Sequence, residues 1–222
     1  IPSDADYFHC TSNNTIFGTQ MKSFPAFNGS TVCDMSSDIF SRQLDFSKFD
    51  MIYAGAQKNM GPAGTTLVII KEDILGKVDR VIPSMMNYQT HISKESMFNT
   101  PPVFSVYVSM LTLKWLKNLG GIPFIEKVNQ KKADLLYNEI DSNTLFKGIV
   151  AKEDRSLMNA TFALTDTNLQ EAFDTLCEEA GISGLKGHRS VGGYRASMYN
   201  ALPLYSVQAL VDVMQELERI KK

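Results

Sequence analysis

Met51-Ile52-Tyr53-Ala54-Gly55-Ala56-Gln57-Lys58-Asn59-Met60-Gly61-Pro62-Ala63-Gly64 carries a short apolar run into small residues, one lysine and a Gly/Pro-rich turn. Similar runs, rich in β-branched and aromatic residues and bounded by Gly, Asn, Ser or Asp, lie at 7–10, 31–33, 51–53 and 66–70. Several lack clean apolar/polar alternation. That predicts buried strands covered on both faces, and so a largely parallel sheet flanked by helices, an α/β fold.

Within that frame Lys58 sits where bulk is excluded. Small neighbours let a flat cofactor approach the backbone, and desolvation lowers an amine's pKa so that it acts as a nucleophile, which is what a Schiff-base lysine needs. A surface lysine at a strand end is the alternative. In Val32-Cys33-Asp34-Met35-Ser36-Ser37 a second apolar strand ends on Asp34. Two strand ends in one sheet converge on one ligand. A carboxylate there pairs with a protonated pyridine nitrogen and keeps the ring of pyridoxal 5'-phosphate an electron sink. The competing reading makes Asp34 the cap of a following turn.

The 222 residues, 44% hydrophobic and 21% charged, supply enough apolar material for a substantial core. A formal net charge of -2 shows no basic excess of the kind nucleic acid or an anionic membrane selects. Cys10, Cys33 and Cys177 are odd in number and widely separated, which suggests neither a disulfide framework nor a zinc site and fits a reducing cytoplasm. The first residues lack the pattern of a secretory signal, and no apolar run approaches the ~20 residues that span a bilayer.

Further along, 82–101 reads as a loop, and from Val103 to Asn118 apolar residues recur at helical spacing, with Gly120-Gly121 as the stop. A second helix starts near Pro123 and runs to about Ile140. The glycine pair is the candidate boundary between domains of residues 1–119 and 120–222. Beyond it follow a strand at 158–164, a helix at 169–180, two short strands near 186–189 and 194–199, and a closing helix at 206–220, a small α/β unit. The amphipathic stripes are expected to face the core, Trp115 included. His188, Arg189 and Arg195 fall among Gly187, Gly192 and Gly193, an anion site by composition, or else a surface His/Arg pair.

Four strings, AGAQKNMGPAG, DMSSDIFSR, MFNTPP and LKGHRSVGGYRASMYNALP, together resemble the phosphoserine aminotransferase family along the whole chain. The resemblance implies a pyridoxal-phosphate-dependent transferase fold: part of a mainly parallel large-domain sheet plus a small C-terminal α/β domain, working as a homodimer. It implies transfer of an amino group from glutamate to 3-phosphohydroxypyruvate, giving 2-oxoglutarate and 3-phosphoserine in serine biosynthesis. 4-Phosphohydroxythreonine is the related substrate of some members.

Carried over by position, Lys58 matches the cofactor-bearing lysine, Gln57 a cofactor-phosphate ligand, and Asp34 the partner of the pyridine nitrogen. Thr15 matches a hydroxyl near the ring, although the family usually has Asn-Glu-Thr where this chain has Asn13-Asn14-Thr15; by itself Thr15 is an ordinary turn hydroxyl. Asn99 and Thr100 match the pair that reaches the cofactor phosphate of the other subunit, whereas without the family Asn-Thr-Pro-Pro is simply a helix start capped by Thr100. Arg195 matches the arginine for the substrate α-carboxylate. His188 and Arg189 match groups at the far end of the substrate.

The resemblance begins partway into the family's large domain, so the chain is expected to be the C-terminal portion of a longer enzyme. By resemblance the missing part brings the phosphate cradle and the ring stacked on the cofactor, roles that a core Trp115 cannot take. The chain alone is then expected to be inactive, with exposed sheet edges, or a folded dimerisation scaffold.

Overall fold

A computed structural model describes residues 1–221. Each predicted apolar run in the first 70 residues becomes a strand: β1 (Tyr7–Thr11), β4 (Ser30–Asp34), β5 (Met51–Gly55) and β6 (Thr66–Ile70). Between the first two lies a small antiparallel pair, β2 (Asn13–Asn14) and β3 (Thr19–Gln20), too short for a sequence pattern to reveal. The main sheet runs β1-β4-β5-β6, with β1, β4 and β5 parallel and β6 antiparallel to β5. It is a mainly parallel sheet, as expected.

Its faces are not equally covered. Cys33, Ile52 and Ala54 point into an apolar cluster completed by Cys10, Met35, Ile39 and Phe49. His9, Val32, Asp34, Met51 and Tyr53 occupy the alternate positions, and none of these is fully buried. The expectation of strands covered on both faces is thus corrected. Val, Met and Tyr count as apolar in a sequence pattern, and here they hide a true period of two.

Residues 82–101 hold one short helix, α1 (Tyr88–Ser93), where the sequence suggests only a loop. The Asn87 side chain accepts from the Gln89 N–H at 3.0 Å, a local cap sufficient for this brief turn. Then come α2 (Val103–Asn118) and α3 (Gly121–Ser142), separated by Gly120 in the left-handed region at φ 110°. Only Ser105 and Leu116 of α2 are buried. Trp115 remains 38% exposed and Phe104 73%, so the placement of Trp115 and its stripe in the core is corrected. Val103, Phe104, Val106, Tyr107, Met110 and Leu111 form an exposed apolar face along one side of the helix; periodicity alone could not tell which side meets the sheet.

The remainder forms an antiparallel sheet, β7 (Phe146–Gly148), β8 (Asn159–Leu164) and β9 (Tyr194–Ser197), backed by α4 (Gln170–Glu179) and α5 (Leu204–Lys221). Phe146, Phe162, Phe173 and Tyr194 pack as a buried aromatic set against Leu136, Ile140 and Met214. The expected strand at 186–189 does not form; a single bridge joins Lys186 to Tyr194. The chain turns too tightly for a ladder. The Gly187 N–H donates to the Gly193 carbonyl at 2.8 Å, and a Cβ on Gly187 would stand 2.2 Å from the Gly192 carbonyl oxygen.

Amides stitch the two apolar clusters together. Asn13 Nδ2 donates to Asn159 Oδ1 at 2.9 Å and to Ser37 Oγ at 2.8 Å, and Ser156 Oγ donates to Asn13 Oδ1. Asn129 Nδ2 donates to the Ser41 carbonyl and to Asn200 Oδ1. The Asn200 N–H donates to Asn59 Oδ1 at 3.0 Å. Every one of these asparagines is buried. The bonded amides make the seam specific; Asn129 Oδ1 alone among the side-chain amide groups of these asparagines is buried without a partner.

At the rim of the small sheet, Arg155 makes two bonds, 2.9 and 2.7 Å, to the Asp141 carboxylate, which Lys152 also approaches. Hydrogen bonds from Arg155 hold the Asp141 carboxyl down at about 2. In the unfolded chain it returns to ~3.9. The group therefore stabilises the fold above that value, and its contribution is lost as pH falls toward 2. Asp141→Asn is expected to flatten the loss of stability between those pH values in urea melts. An unchanged pH profile would count against the pair.

Candidate active site

The residues after β5 fold back at once. The Met60 and Gly61 N–H groups both donate to the Ala56 carbonyl, at 3.1 and 2.8 Å, and the Ala56 N–H donates to Thr65 O at 3.0 Å. Lys58 rides on this closed turn, whose Ala56 is fully buried, as is Ala54 in β5. The turn needs glycine where it meets α2: a Cβ on Gly64, at φ +116°, would lie 2.7 Å from Ser105 Oγ. Lys58 Nζ donates to Thr15 Oγ1 at 2.7 Å. Among the described residues no carboxylate lies within ion-pair distance of this amine.

Thr15 is delivered by the β2–β3 turn. There the Asn14 side chain accepts from the Ile16 and Phe17 N–H groups at 3.0 and 3.1 Å. The asparagine that departs from the familiar Asn-Glu-Thr pattern thus shapes the turn that presents the hydroxyl.

Asp34 ends β4 beside its register partner Tyr53. Its Oδ1 accepts from the Ser36 N–H at 2.8 Å, so the turn-cap reading holds locally. Ser36 Oγ in turn accepts from the Gly55 N–H at 3.0 Å. One hydroxyl thereby ties the end of the Asp34 strand to the strand that feeds Lys58, and places both at the same carboxyl edge of the parallel strands, where ligands of such sheets bind. Burial raises the Tyr53 hydroxyl's pKa, and the neighbouring Asp34 charge and hydrogen bond add to this. His9 Nε2 lies 3.0 Å from that hydroxyl.

Gln57 is exposed and curls over Gly55, where an added Cβ would stand 2.5 Å from its Oε1. Asn99 and Thr100 stand exposed ahead of α2, with Asn99 Nδ2 donating to the Thr100 carbonyl at 3.2 Å. Among the described residues no hydrogen bond joins them to the Lys58 group. Nor does Thr100 cap the helix: the N-cap is Pro102, without a side-chain bond.

His188, Arg189 and Arg195 share the hairpin into β9. His188 Nδ1 accepts from the Ser190 N–H at 3.3 Å, and Arg189 is exposed. Arg195 is half-buried and borders a cavity of about 440 Å³ with Gly184, Ser197 and Tyr205. Its Nε is buried without a hydrogen-bond partner. A guanidinium nitrogen left this way suits a ligand carboxylate. No direct bond joins the hairpin to Lys58, but Asn200, five residues past Arg195, bonds Asn59. Ser36 and Asn59, which order the Lys58 turn, were missed by sequence reasoning. Their sole signal is adjacency to Asp34 and Lys58.

The class-V aminotransferase family profile matches residues 1–210. A phosphoserine aminotransferase of Flavobacterium psychrophilum is 75% identical over 218 residues, covering 98% of this chain and 61% of that protein. One from Porphyromonas gingivalis is 58% identical over 220 residues, with the same 61% of its length covered. Among solved structures, phosphoserine aminotransferase from Bacillus circulans subsp. alkalophilus superposes on the whole chain with a TM-score of 0.95 at 44% identity, over 62% of its own length. The PLP-bound enzyme from Trichomonas vaginalis gives 0.90 at 38% identity, over 97% of this chain and 61% of its own. The chain thus spans about three fifths of the length of the relatives it matches. With the lysine turn, its strand-end carboxylate and the unpartnered arginine all inside the matched residues, the chain belongs to the class-V aminotransferase family.

Proposed function

We propose that the full-length protein containing this chain is a phosphoserine aminotransferase, which moves the amino group of glutamate to 3-phosphohydroxypyruvate and so makes 3-phosphoserine. The observation that carries the reading is an amine held by a hydroxyl alone, at the strand edge it shares with Asp34. Bound there, pyridoxal phosphate supplies an electron sink for the charge left when the substrate Cα loses its proton. Lys58 would take that proton and give it back in the second half of the transfer, with Thr15 fixing where Nζ points.

Asp34 faces the pyridine nitrogen in this reading, and Gln57 takes the cofactor phosphate. Arg195 takes the substrate α-carboxylate through its planar fork. His188 and Arg189 serve the distal phosphate, or the side-chain carboxylate of glutamate. Asn99 and Thr100 act on the partner's cofactor phosphate in a homodimer. The exposed apolar face of α2, next to that pair, supports an association surface there. The two apolar clusters support residues 1–119 as a large cofactor domain and 120–222 as a small one. The three free, buried cysteines suit a cytoplasmic setting. 4-Phosphohydroxythreonine is a second substrate to try in the same site.

The direct test supplies full-length protein with the cofactor, glutamate and 3-phosphohydroxypyruvate, and follows 3-phosphoserine by mass spectrometry. Absence of product from cofactor-loaded protein rejects the proposal. Arg195→Ala is expected to raise the KM for glutamate by ~10–100-fold, the worth of ~1.5–3 kcal/mol for hydrogen bonds to a charged group. An unchanged KM removes Arg195 from the site. The exposed α2 also favours a second reading, a folded association scaffold without cofactor. That reading gains if the 222-residue chain alone is monodisperse and colourless in excess cofactor.

A further inference from the structure

Lys132, on α3, is fully buried, and among the described residues no carboxylate lies within ion-pair distance of it. Its ammonium donates to three backbone carbonyls: Met198 at 2.9 Å, Tyr199 at 2.9 Å and Leu202 at 3.1 Å. Three donors meet three acceptors, so the group is satisfied although its charge is not paired. All three carbonyls belong to the turn that follows β9. Burial lowers the ammonium's pKa to about 8, as expected of a cation kept from water without a counter-ion. A leucine or methionine would fill the same volume without that desolvation cost, so the ammonium points to a demand on this turn beyond core filling.

The turn leads to the candidate site. Between the clamped carbonyls sits Asn200, whose N–H donates to Asn59 Oδ1 at 3.0 Å, while Asn59 Nδ2 donates to the Ile39 carbonyl at 3.2 Å. Asn59 is the residue after Lys58. On the other side, Met198 lies three residues beyond Arg195, directly after the end of β9. We infer that Lys132 is a positioning residue: by holding the 198–202 turn it sets, through Asn200 and Asn59, where Lys58 stands relative to Arg195. The inference rests on the reading of Lys58 as the reacting amine and of Arg195 as the substrate anchor. It adds what fixes the spacing between them.

Hydrogen exchange on the cofactor-free, full-length protein tests the linkage without calling on activity. In Lys132→Met, peptides spanning 198–203 and 56–61 are expected to lose protection together, while peptides from β1 and β4 keep theirs. In an Asn59→Ala background the Lys132→Met change should add nothing further at 56–61, because the connection has been cut. In the loaded enzyme, kcat should fall about tenfold with a smaller change in the KM for glutamate, as for a displaced proton-transfer group. Loss of protection confined to 198–203, or spread evenly over α3 and β8, overturns the inference and leaves Lys132 an ordinary core residue. If Lys132→Met does not fold, Lys132→Gln, which keeps an amide donor, must show the same two peptides moving in a smaller measure; no movement at 56–61 is equally fatal. A cofactor that fails to attach to Lys58 would sink the reading of that lysine, whereas the exchange pattern judges the clamp alone.

Discussion

Lys58→Ala is expected to lower transamination by the full-length protein ~10²–10⁴-fold, the ordinary worth of a positioned acid–base group, and to abolish covalent attachment of the cofactor. The expectation comes from the geometry of one amine. Its nitrogen meets a threonine hydroxyl at 2.7 Å and, among the described residues, no carboxylate, on a closed turn whose Ala56 is fully buried. An ion-paired lysine would have to give up its partner's charge before reacting; this one has only a hydrogen bond to a hydroxyl to give up. Borohydride treatment followed by peptide mass spectrometry should find the cofactor's mass on the Lys58 peptide of the unaltered protein and none in the variant. A labelled peptide elsewhere, or near-normal turnover in Lys58→Ala, dismisses the assignment.

Asp34→Asn is the second large effect, an expected fall of ~10²–10³-fold in kcat, comparable to removing one preorganised electrostatic group from a developing charge. Asparagine keeps an oxygen for the Ser36 N–H, so the local turn should survive while the negative charge goes. Cofactor should therefore still attach through Lys58. Exchange of the substrate Cα hydrogen with solvent deuterium isolates the step at issue. If that exchange runs at the normal rate in Asp34→Asn, the carboxylate is a turn cap and nothing more.

Much of this fold lies open in the sequence, because long periodic segments and glycine stops are strong signals: α2, α3 and α5, and the four strands of the main sheet, fall close to where spacing puts them. What stayed hidden has physical reasons. β2, β3 and β7 are two or three residues long, and α1 depends on one asparagine side chain. Trp115 misleads because an apolar helix face says that something will cover it, not what. The strand at 186–189 gives way to glycines that bring backbone against backbone. For the site, residue chemistry alone reached Lys58 and Asp34 but left each with a bland alternative; the resemblance supplied Thr15, and the 2.7 Å contact places it beside Lys58. Asn59, Asn200 and Lys132 escaped notice because each acts through a fold-dependent neighbour far away in the chain.

The asparagine seam has a consequence in time. Its bonds from Asn129 to Ser41, from Asn200 to Asn59 and from Asn13 to Asn159 cross between the two halves and join positions 88 to 146 residues apart, whereas strands, helices and the two apolar clusters are largely built from nearer contacts. Closing long loops is entropically the slowest demand on a folding chain. Each half is therefore expected to condense on its own before the amides find one another, and during synthesis Lys58 leaves the ribosome well ahead of the turn that bonds its neighbour. The bond between Asn59 and the 198–202 turn is therefore expected among the last contacts to form.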